Sequence, residues 1–174
     1  METARAYSYL GGMIRLARPS DLAELDALFA RAYPALLKPD YPPSVLVTAL
    51  PLISRAQPAL LASGTFRVVE EDGRIVAAGG WTRAAPPGLR TRPGAGSVRH
   101  VVTDPDCLRR GHAAAILRAS MDEARAAGLT AMAAMSTRTA VPFYAAMGFE
   151  PLGEVEVTLR EGIAFPAVAM QRRL

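Results

Sequence analysis

Apolar residues recur three or four positions apart along several stretches of the chain, the spacing typical of an amphipathic helix. The longest stretch runs from residue 113 to residue 127 and ends at Gly128, a residue type that commonly terminates helices. Another follows Pro19-Ser20-Asp21, which supplies a break and an N-cap, and extends to about Tyr33. Shorter helices are predicted at residues 45–50, 52–57 and 139–147.

Runs rich in apolar and β-branched residues predict strands between these helices. They lie at residues 13–18, 65–70, 74–83, 97–103, 129–135, 154–160 and 163–172. Asp72-Gly73, between the second and third of them, is typical of a hairpin turn. Gly79-Gly80 indicates a bulge or a close approach of two backbones.

The elements follow the order β-α-α-β-β-β-α-β-α-β-β, which predicts an α/β (α+β) fold. A chain of 174 residues is within the usual range for one domain. We expect residues 13–174 to form that domain. Residues 1–12 match no element and are interpreted as an N-terminal extension, and residues 84–95, with three prolines and two glycines, are interpreted as a surface loop.

Composition narrows the class of protein. Hydrophobic residues make up 51% of the chain and charged residues 21%, which is enough apolar material for a core. No apolar run approaches the roughly 20 residues that span a bilayer, and the N-terminus lacks a secretory-signal pattern. We therefore expect a cytoplasmic protein with no membrane partner. Cys107 is the single cysteine, which excludes an internal disulfide and a cysteine-cluster metal site, so no metal is expected.

The charge of the chain changes the expected class of ligand only slightly. The net charge is +4, and the basic residues are nearly all arginines that are scattered without a dense run. Aromatic residues make up 6% of the chain, too few for a base-stacking platform. A modest basic excess fits an anionic small ligand at least as well as nucleic acid, so we expect no nucleic-acid partner.

One turn, between the predicted strand at 97–103 and the long helix, has the chemistry of an anion site. It reads Leu108-Arg109-Arg110-Gly111-His112-Ala113 and follows a break in which Asp104 is expected to cap the loop. N–H groups in the first helical turn lack internal partners, and the helix dipole adds about half a positive charge there. Gly111 allows a ligand to approach the backbone closely. The working hypothesis is a pyrophosphate-binding turn.

A second motif follows the next predicted strand. It reads Thr137-Arg138-Thr139-Ala140-Val141-Pro142-Phe143-Tyr144-Ala145-Ala146-Met147-Gly148-Phe149. With these two motifs the chain resembles the GNAT (Gcn5-related) N-acetyltransferase family over nearly all of residues 13–174. The first motif matches the family's acetyl-CoA turn, Gln/Arg-x-x-Gly-x-Gly/Ala. The second matches the family's Asn-x-x-Ala-x-x-Phe-Tyr-x-x-x-Gly-Phe.

The resemblance implies a GNAT-like mixed, splayed central β-sheet flanked by helices. Acetyl-CoA, the coenzyme A thioester that serves as co-substrate, would lie between the diverging strands 97–103 and 129–135. Backbone groups of Val101, Val102 and Thr103 would contact its pantetheine arm in the manner of an added strand.

The same resemblance implies roles for both motifs. The pyrophosphate would be held by Arg109, Arg110, Gly111, His112, Ala113 and Ala114. Thr137 and Phe143 would complete the cofactor site. Tyr144 would protonate the leaving thiolate as a general acid.

Three positions depart from the family pattern. Leu108 replaces the Gln or Arg that opens the turn, and Thr137 replaces the Asn of the second motif. Met132 occupies a position where some members place a basic Glu, so the resemblance does not supply the general base.

Two routes for the base stay open from the sequence. His100 is the nearest titratable side chain with a suitable unperturbed pKa, and a water chain to Glu70 or Glu71 is the alternative. A histidine in a strand is more often a hydrogen-bonded structural residue. Tyr144 likewise has the alternative of being a core aromatic.

The leading hypothesis is an acetyl-CoA-dependent N-acetyltransferase in which a primary amine of a small molecule or peptide attacks the thioester directly. The alternative is a non-catalytic module that senses acyl-CoA. The acceptor pocket is expected to involve residues 34–58, residues 84–95 and the terminal hairpin. A homodimer is compatible with the resemblance, since the terminal hairpin can pair or exchange between subunits in this fold.

Overall fold

Eight strands form one mixed sheet across the part of the chain that the structure describes. The structure, a computed structural model, describes residues 7–9, 12–90 and 92–174. The strands are β1 (Tyr7–Tyr9), β2 (Gly12–Leu16), β3 (Phe66–Glu71), β4 (Arg74–Thr82), β5 (Ala95–Thr103), β6 (Ala131–Ser136), β7 (Glu150–Arg160) and β8 (Ile163–Arg173). Their spatial order is β1-β2-β3-β4-β5-β6-β8-β7. Every neighbouring pair is antiparallel except β5 and β6, which are parallel.

Five helices flank this sheet, which confirms the predicted mixed α/β class. They are α1 (Leu22–Leu37), α2 (Pro43–Ile53), α3 (Pro58–Leu61), α4 (His112–Ala126) and α5 (Val141–Ala146). Short 3-10 turns precede α1, α4 and α5 at Pro19–Asp21, Pro105–Cys107 and Arg138–Ala140. The order of elements agrees with the predicted order, to which the structure adds β1 and a separate α3.

Two helices continue through prolines at which the sequence analysis ended them. α1 runs past Pro34 to Leu37, and α2 runs past Pro51 to Ile53. A proline inside a helix removes one backbone hydrogen bond. Here the residues beyond each proline pack into the cluster that α2 forms with the end of the sheet, and this burial outweighs the lost bond. The short helix predicted at 52–57 is wrong for the same reason, because α2 takes its first residues.

The start of the chain contributes to the sheet. β1 pairs with β2 in the register Tyr7↔Ile14 and Tyr9↔Gly12. β1 lies inside the segment interpreted as an N-terminal extension, residues 1–12. The rest of that segment, residues 1–6, 10 and 11, lies outside the described residues, and a domain boundary at residue 13 stays a prediction.

Helices cover both faces of the sheet. On one face, α1 and α3 pack on β3 and β4 through apolar side chains that include Leu25, Phe29 and Val68. On the other face, α4 packs on β4 and β5 through side chains that include Ile116 and Leu117. We call these the α1 face and the α4 face. α2 packs over β8 through Leu46 and Phe165, at the outer end of the sheet.

The sheet opens between β5 and β6, as the resemblance implied. The two strands pair only at residues 95–97 and 131–133. Beyond Ser97 and Ala133, β5 continues along β4 while β6 continues along β8. The strands therefore diverge, and the edge of β5 that faces β6 has no strand partner among the described residues.

A bulge marks β5 at the start of this opening. Gly80 pairs with Arg99 and Ala78 with Val102, so β5 holds one more residue than β4 across this interval. His100 adopts φ +45°, an unusual value for a residue other than glycine. A Cβ on Gly79 would lie 3.0 Å from the Val101 Cα, and a Cβ on Gly80 would overlap the Thr65 carbonyl oxygen. Both the predicted bulge and the close backbone approach are confirmed, with the extra residue on β5.

Candidate active site

The open edge of β5 presents backbone rather than side chains to the cleft. Val102 and Thr103 pair with Ala78 and Ala77 on β4. Their side chains are buried, and the side chain of Val101 packs against the α4-face core. Because backbone groups alternate in direction along a strand, half of the N–H and C=O groups of this segment point toward the cleft. These are the groups that the sequence analysis assigned to the pantetheine arm.

The turn after β5 is held by a buried carboxylate. Asp104 is fully buried; its Oδ1 accepts a hydrogen bond from the Asp106 N–H (3.0 Å), and Oδ2 forms an ion pair with Arg31. Burial favours the neutral acid, but the Asp106 N–H and the Arg31 charge more than offset this effect, and the pKa of Asp104 lies below its usual range. Asp104 is therefore a capping residue, as predicted, and it fixes where the chain enters the following turn.

The start of α4 leaves backbone donors unused. The first hydrogen bond of the helix runs from the Ala115 N–H to the Gly111 carbonyl (2.9 Å), so the N–H groups of Ala113 and Ala114 have no partner within the helix. Gly111 adopts φ +85°, and a Cβ built on it would meet no atom within 4 Å. The turn is thus open on the side where a ligand would approach. An oxyanion matches donors arranged in this way.

The side chains of this turn are less available than its backbone. Arg110 forms an ion pair with Glu71 (3.0 Å) and donates to the Asp106 carbonyl (3.3 Å). The His112 side chain is 1% exposed, and its Nε2 lies 3.2 Å from a Glu71 oxygen. Burial lowers the pKa of His112, although Glu71 opposes this shift. Both side chains point toward Glu71 of β3, so the Arg110 charge is already compensated.

Arg109 differs from its neighbour in this respect. It is exposed, adopts φ +60°, and makes no ion pair or hydrogen bond with the described residues. Of the two arginines expected to add charge at the turn, Arg109 is therefore the one that is free to do so.

The second motif follows β6, the strand on the other side of the opening. The Thr137 hydroxyl accepts a hydrogen bond from the Ala140 N–H (3.2 Å), which caps the turn before α5. Phe143 is partly buried on α5, and its ring meets the Tyr144 ring edge-on with 5.2 Å between centroids. Thr137 is thus engaged in local structure, which leaves its hydroxyl proton as the group it can offer a ligand.

Tyr144 is packed as a core aromatic but retains a free hydroxyl. The residue is 7% exposed, and its ring lies edge-on to both Phe143 and Phe149, at 5.2 and 5.3 Å. Burial raises the pKa of Tyr144, so the phenol holds its proton at neutral pH. Its hydroxyl makes no hydrogen bond with the described residues. The geometry is compatible with a proton donor that acts on a ligand.

His100, at the bulge, contacts α1. Its Nδ1 lies 2.8 Å from the Tyr33 hydroxyl, and its ring stacks on Phe29 with 5.2 Å between centroids. Burial and the nearby Arg99 charge lower the pKa of His100 to about 4. Burial, with a smaller contribution from Tyr144, raises the pKa of Tyr33. His100 is therefore a neutral imidazole at physiological pH. The phenols of Tyr33 and Tyr144 both lie close to the opening of the strands.

The carboxylates considered as alternative bases are engaged elsewhere. Glu70 accepts a hydrogen bond from Arg15 (2.7 Å), which lowers the pKa of Glu70. Glu71 faces Arg110 and His112. Met132, at the position of the missing Glu, is fully buried in the α4-face core. These contacts leave His100 as the better placed of the two options.

Two features of the site were missed by the sequence analysis. Tyr33 was assigned only as the end of a helix, and its pairing with His100 joins residues 67 positions apart, which no local pattern reveals. Arg99 was treated as a strand residue. It is buried, and its guanidinium donates to the Thr82 hydroxyl (3.2 Å) and the Gln57 amide oxygen (3.4 Å). An arginine among the apolar residues of a strand was the one available signal.

An open pocket lies beside the first half of β5. It is lined by the loop that includes Arg90 and Arg92, by Ala95, Ser97 and Val98 of β5, and by apolar residues of β6, β7 and β8. The 84–95 loop and the terminal hairpin both contribute, whereas residues 34–58 do not, and the assignment of an acceptor pocket stays a prediction. The described residues include no group of three or more His, Cys, Asp or Glu side chains arranged to hold a metal ion. No helix in the described part of the chain is long and apolar enough to span a membrane.

Comparison with known proteins agrees with this geometry. The chain resembles three solved structures. A GCN5-related N-acetyltransferase from Rhodopseudomonas palustris is 20% identical, with a TM-score of 0.70, and the match covers 100% of this chain and 98% of that one. YncA from Salmonella typhimurium, solved with its cofactor acetyl-CoA, is 18% identical with a TM-score of 0.64, covering 98% and 95%. PaiA N-acetyltransferase from Thermoplasma acidophilum, solved with coenzyme A, is 10% identical with a TM-score of 0.63, covering 92% and 98%.

Identities this low show a shared fold and nothing finer. No curated protein matches the chain by sequence. The family model gives the more direct result: the acetyltransferase (GNAT) family matches residues 23–149, which include α1 from its second residue, the bulge, the turn before α4 and both motifs. The chain therefore belongs to the acetyltransferase (GNAT) family.

Proposed function

We propose that the chain transfers an acetyl group from acetyl-CoA to a primary amine of a small molecule or peptide. The observation that carries this proposal is the continuous path from the unpaired edge of β5 to the open N-terminus of α4. Backbone donors along that path suit the amides and pyrophosphate of a coenzyme A molecule. Solved neighbours that hold acetyl-CoA or coenzyme A support the choice of donor.

In this proposal the backbone binds the donor. Val101, Val102 and Thr103 pair with the pantetheine arm, and the N–H groups of residues 109–114 hold the pyrophosphate. The absence of a Gln or Arg at Leu108 matters little, because the N–H groups do not depend on that side chain. Arg109 adds a charge that no described carboxylate compensates.

Tyr144 donates a hydrogen bond from its hydroxyl to the leaving sulfur. Its raised pKa keeps the phenol protonated until the acyl–sulfur bond breaks. The same raised pKa makes complete proton transfer uphill in isolation. We therefore assign Tyr144 a hydrogen bond that strengthens as negative charge develops on sulfur, the kind of interaction that lowers a transition state more than a ground state.

His100 receives the proton of the attacking amine. This role requires the tautomer in which Nδ1–H donates to the Tyr33 oxygen, since that tautomer leaves the lone pair on Nε2. A group with a pKa of about 4 is neutral at physiological pH but is a weak base. We therefore expect the enzyme to draw on amine that is already deprotonated in solution.

The test of this proposal has two steps. Calorimetry with acetyl-CoA is expected to show binding, and an absence of binding to folded protein would exclude the proposal. A panel of primary amines with acetyl-CoA is then expected to release free thiol, which a thiol reagent detects.

A second candidate is an acyl-CoA sensor without turnover. It is favoured by the low pKa of His100 and by the engagement of Glu70 and Glu71 in ion pairs, because these leave no strong base in the described site. Binding of acetyl-CoA without thiol release across the amine panel would support the sensor. Assembly into a homodimer through the terminal hairpin stays a prediction for either function.

A further inference from the structure

Two arginines that are largely withdrawn from solvent have opposite surroundings. The Arg15 side chain is 11% exposed and pairs with Asp21 (2.8 Å) and Glu70 (2.7 Å). Hydrogen bonds to both carboxylates raise the pKa of Arg15. Arg99 is 9% exposed, and no other described arginine or lysine is as fully buried. Its partners are the neutral side chains Thr82 and Gln57, and burial lowers the pKa of Arg99.

A buried guanidinium without an anion is an unfavourable arrangement for the protein alone. Taking a charge out of water costs free energy, and neutral acceptors recover only part of that cost. Arg99 has five N–H donors, and its two described hydrogen bonds leave most of them unused. Thr82 and Gln57 hold the planar group in place, so an arriving oxyanion would meet a charged donor that is already oriented and desolvated.

The surroundings of Arg99 place it on the acceptor side. The open pocket is lined on β5 by Ala95, Ser97 and Val98. Side chains two apart on a strand share a face, so Arg99 is the next side chain after Ala95 and Ser97 on their face, just beyond the residues that line the pocket. The charged residues that line that pocket are Arg90 and Arg92, and none of its lining residues is acidic. Arg92 donates to the Gln171 amide oxygen (2.9 Å), again a neutral partner. His100 is the next residue along β5, and the Arg99 charge is close enough to shift its pKa.

We propose that the acceptor amine carries an oxyanion, a carboxylate or a phosphate, which binds Arg99 at the edge of this pocket. The inference rests on the proposed function and deepens it by naming the class of acceptor. The planar fork of Arg99 can hold two oxygens of such a group. The anion fixes one end of the acceptor, and the amine reaches the bulge at His100, where the donor cleft begins.

Matched pairs of amines test the proposal with the unaltered protein. Phenylalanine is compared with phenylalaninamide, and 2-aminoethyl phosphate with 2-aminoethanol, using acetyl-CoA and thiol detection. After correction for the fraction of free amine, the anionic member of at least one pair is expected to have a kcat/KM roughly 10- to 100-fold higher. The pair that shows the difference identifies the oxyanion. Equal values within both pairs would overturn the proposal.

Variants then assign the preference to Arg99. In Arg99→Gln the ratio of anionic to neutral kcat/KM is expected to fall roughly 10- to 100-fold, mainly through KM of the anionic amine. Arg99→Lys keeps the charge without the fork and is expected to lie between. Arg125→Gln, which removes an exposed arginine in the last turn of α4, is the matched control and is expected to leave the ratio unchanged. An unchanged ratio in folded Arg99→Gln protein would overturn the proposal.

Thermal unfolding in the presence of coenzyme A separates this inference from the proposed function. The anionic members of the pairs are expected to raise the Tm of the unaltered protein, and their neutral partners to raise it less. This shift without thiol release for any amine would remove the transferase and keep the anion site. Thiol release without a preference or a differential shift would keep the transferase and remove the anion site.

Discussion

The turn that begins α4 and the bulge of β5 differ in the chemical groups that they present, backbone at the turn and side chains at the bulge. At the turn, the groups proposed to bind a ligand are backbone N–H donors around Gly111, and the His112 and Arg110 side chains face Glu71. At the bulge they are side chains: Arg99 and His100 of β5, held by Tyr33 of α1 and by Gln57 before α3. A backbone site needs a short local pattern. A side-chain site assembles residues that are far apart in the chain.

This difference indicates which kind of binding site a sequence pattern can predict. In the proposed function the donor is bound by backbone, and such a binding site leaves a short motif. The proposed acceptor site is formed by side chains of separate segments. Substitutions at the turn and at the bulge should therefore impair different properties of the protein, and the following variants test that contrast.

Tyr144→Phe is expected to have the largest effect. It removes the hydroxyl and keeps the ring that packs on Phe143 and Phe149. Turnover is expected to fall roughly 100-fold or more, the usual contribution of a positioned proton donor. Steady-state thiol release measures this loss, while calorimetry should show acetyl-CoA affinity nearly intact. Equal turnover in the two proteins would remove Tyr144 from the acid role.

Gly111→Glu is expected to act on donor binding instead. A side chain at φ +85° is strained, and a carboxylate there repels a pyrophosphate. Affinity for acetyl-CoA is expected to fall roughly 30-fold, equivalent to about 2 kcal/mol, by calorimetry. Gly111→Asn is the matched control, since Asn tolerates positive φ and adds no charge. If Glu and Asn both bind as the parent does, the turn does not hold the donor.

His100→Gln is expected to lower turnover about tenfold, a smaller effect because a base of such low pKa contributes little. With a pKa of about 4, His100 stays neutral from pH 6 to 8. The rate of the parent protein should therefore rise with pH as the acceptor amine loses its proton, with no inflection near 6.5. A pH–rate profile measures this. An inflection near 6.5 that disappears in His100→Gln would show that the imidazole titrates normally.

The smallest effect is expected from exchanging the two arginines of the turn. Arg109→Gln removes an uncompensated charge and should weaken acetyl-CoA binding about threefold, as expected for one exposed charge at a helix N-terminus. Arg110→Gln removes a charge already paired with Glu71 and should change affinity less. Titration calorimetry at low salt ranks the two. The reverse order would mean that the Arg110–Glu71 pair opens when the donor binds.

Much of the fold could be predicted because its signals are local. Helical spacing gave α4 to within one residue at each end, and Asp72-Gly73 gave the β3–β4 turn, where both residues have positive φ. The helix ends predicted at Pro34 and Pro51 were wrong, because burial of the apolar residues beyond each proline outweighs the low helix propensity of proline. β1 was missed because three residues paired to one neighbour leave no periodicity to detect.

The candidate site likewise contains residues that a local motif predicts and residues whose contacts no local motif predicts. Resemblance of two short motifs led to the turn at Gly111 and to Tyr144, whose surroundings suit the roles proposed for them. The carboxylate route to a base lost its support because Arg15 and Arg110 engage Glu70 and Glu71, contacts between separate strands that a linear pattern does not encode. Arg99 could be noticed in the sequence but not interpreted, since its meaning lies in the absence of a carboxylate around it.

The extra residue in β5 also sets how many polar groups one strand can present. In a regular strand, successive side chains point to opposite faces, so Arg99 and His100 would be separated by the sheet. Here both reach the α1 face, Arg99 toward Gln57 and His100 toward Tyr33 and Phe29. Deleting a single residue would restore the alternation and send one of them into the α4-face core. The bulge in β5 thus places the Arg99 guanidinium and the His100 imidazole side by side.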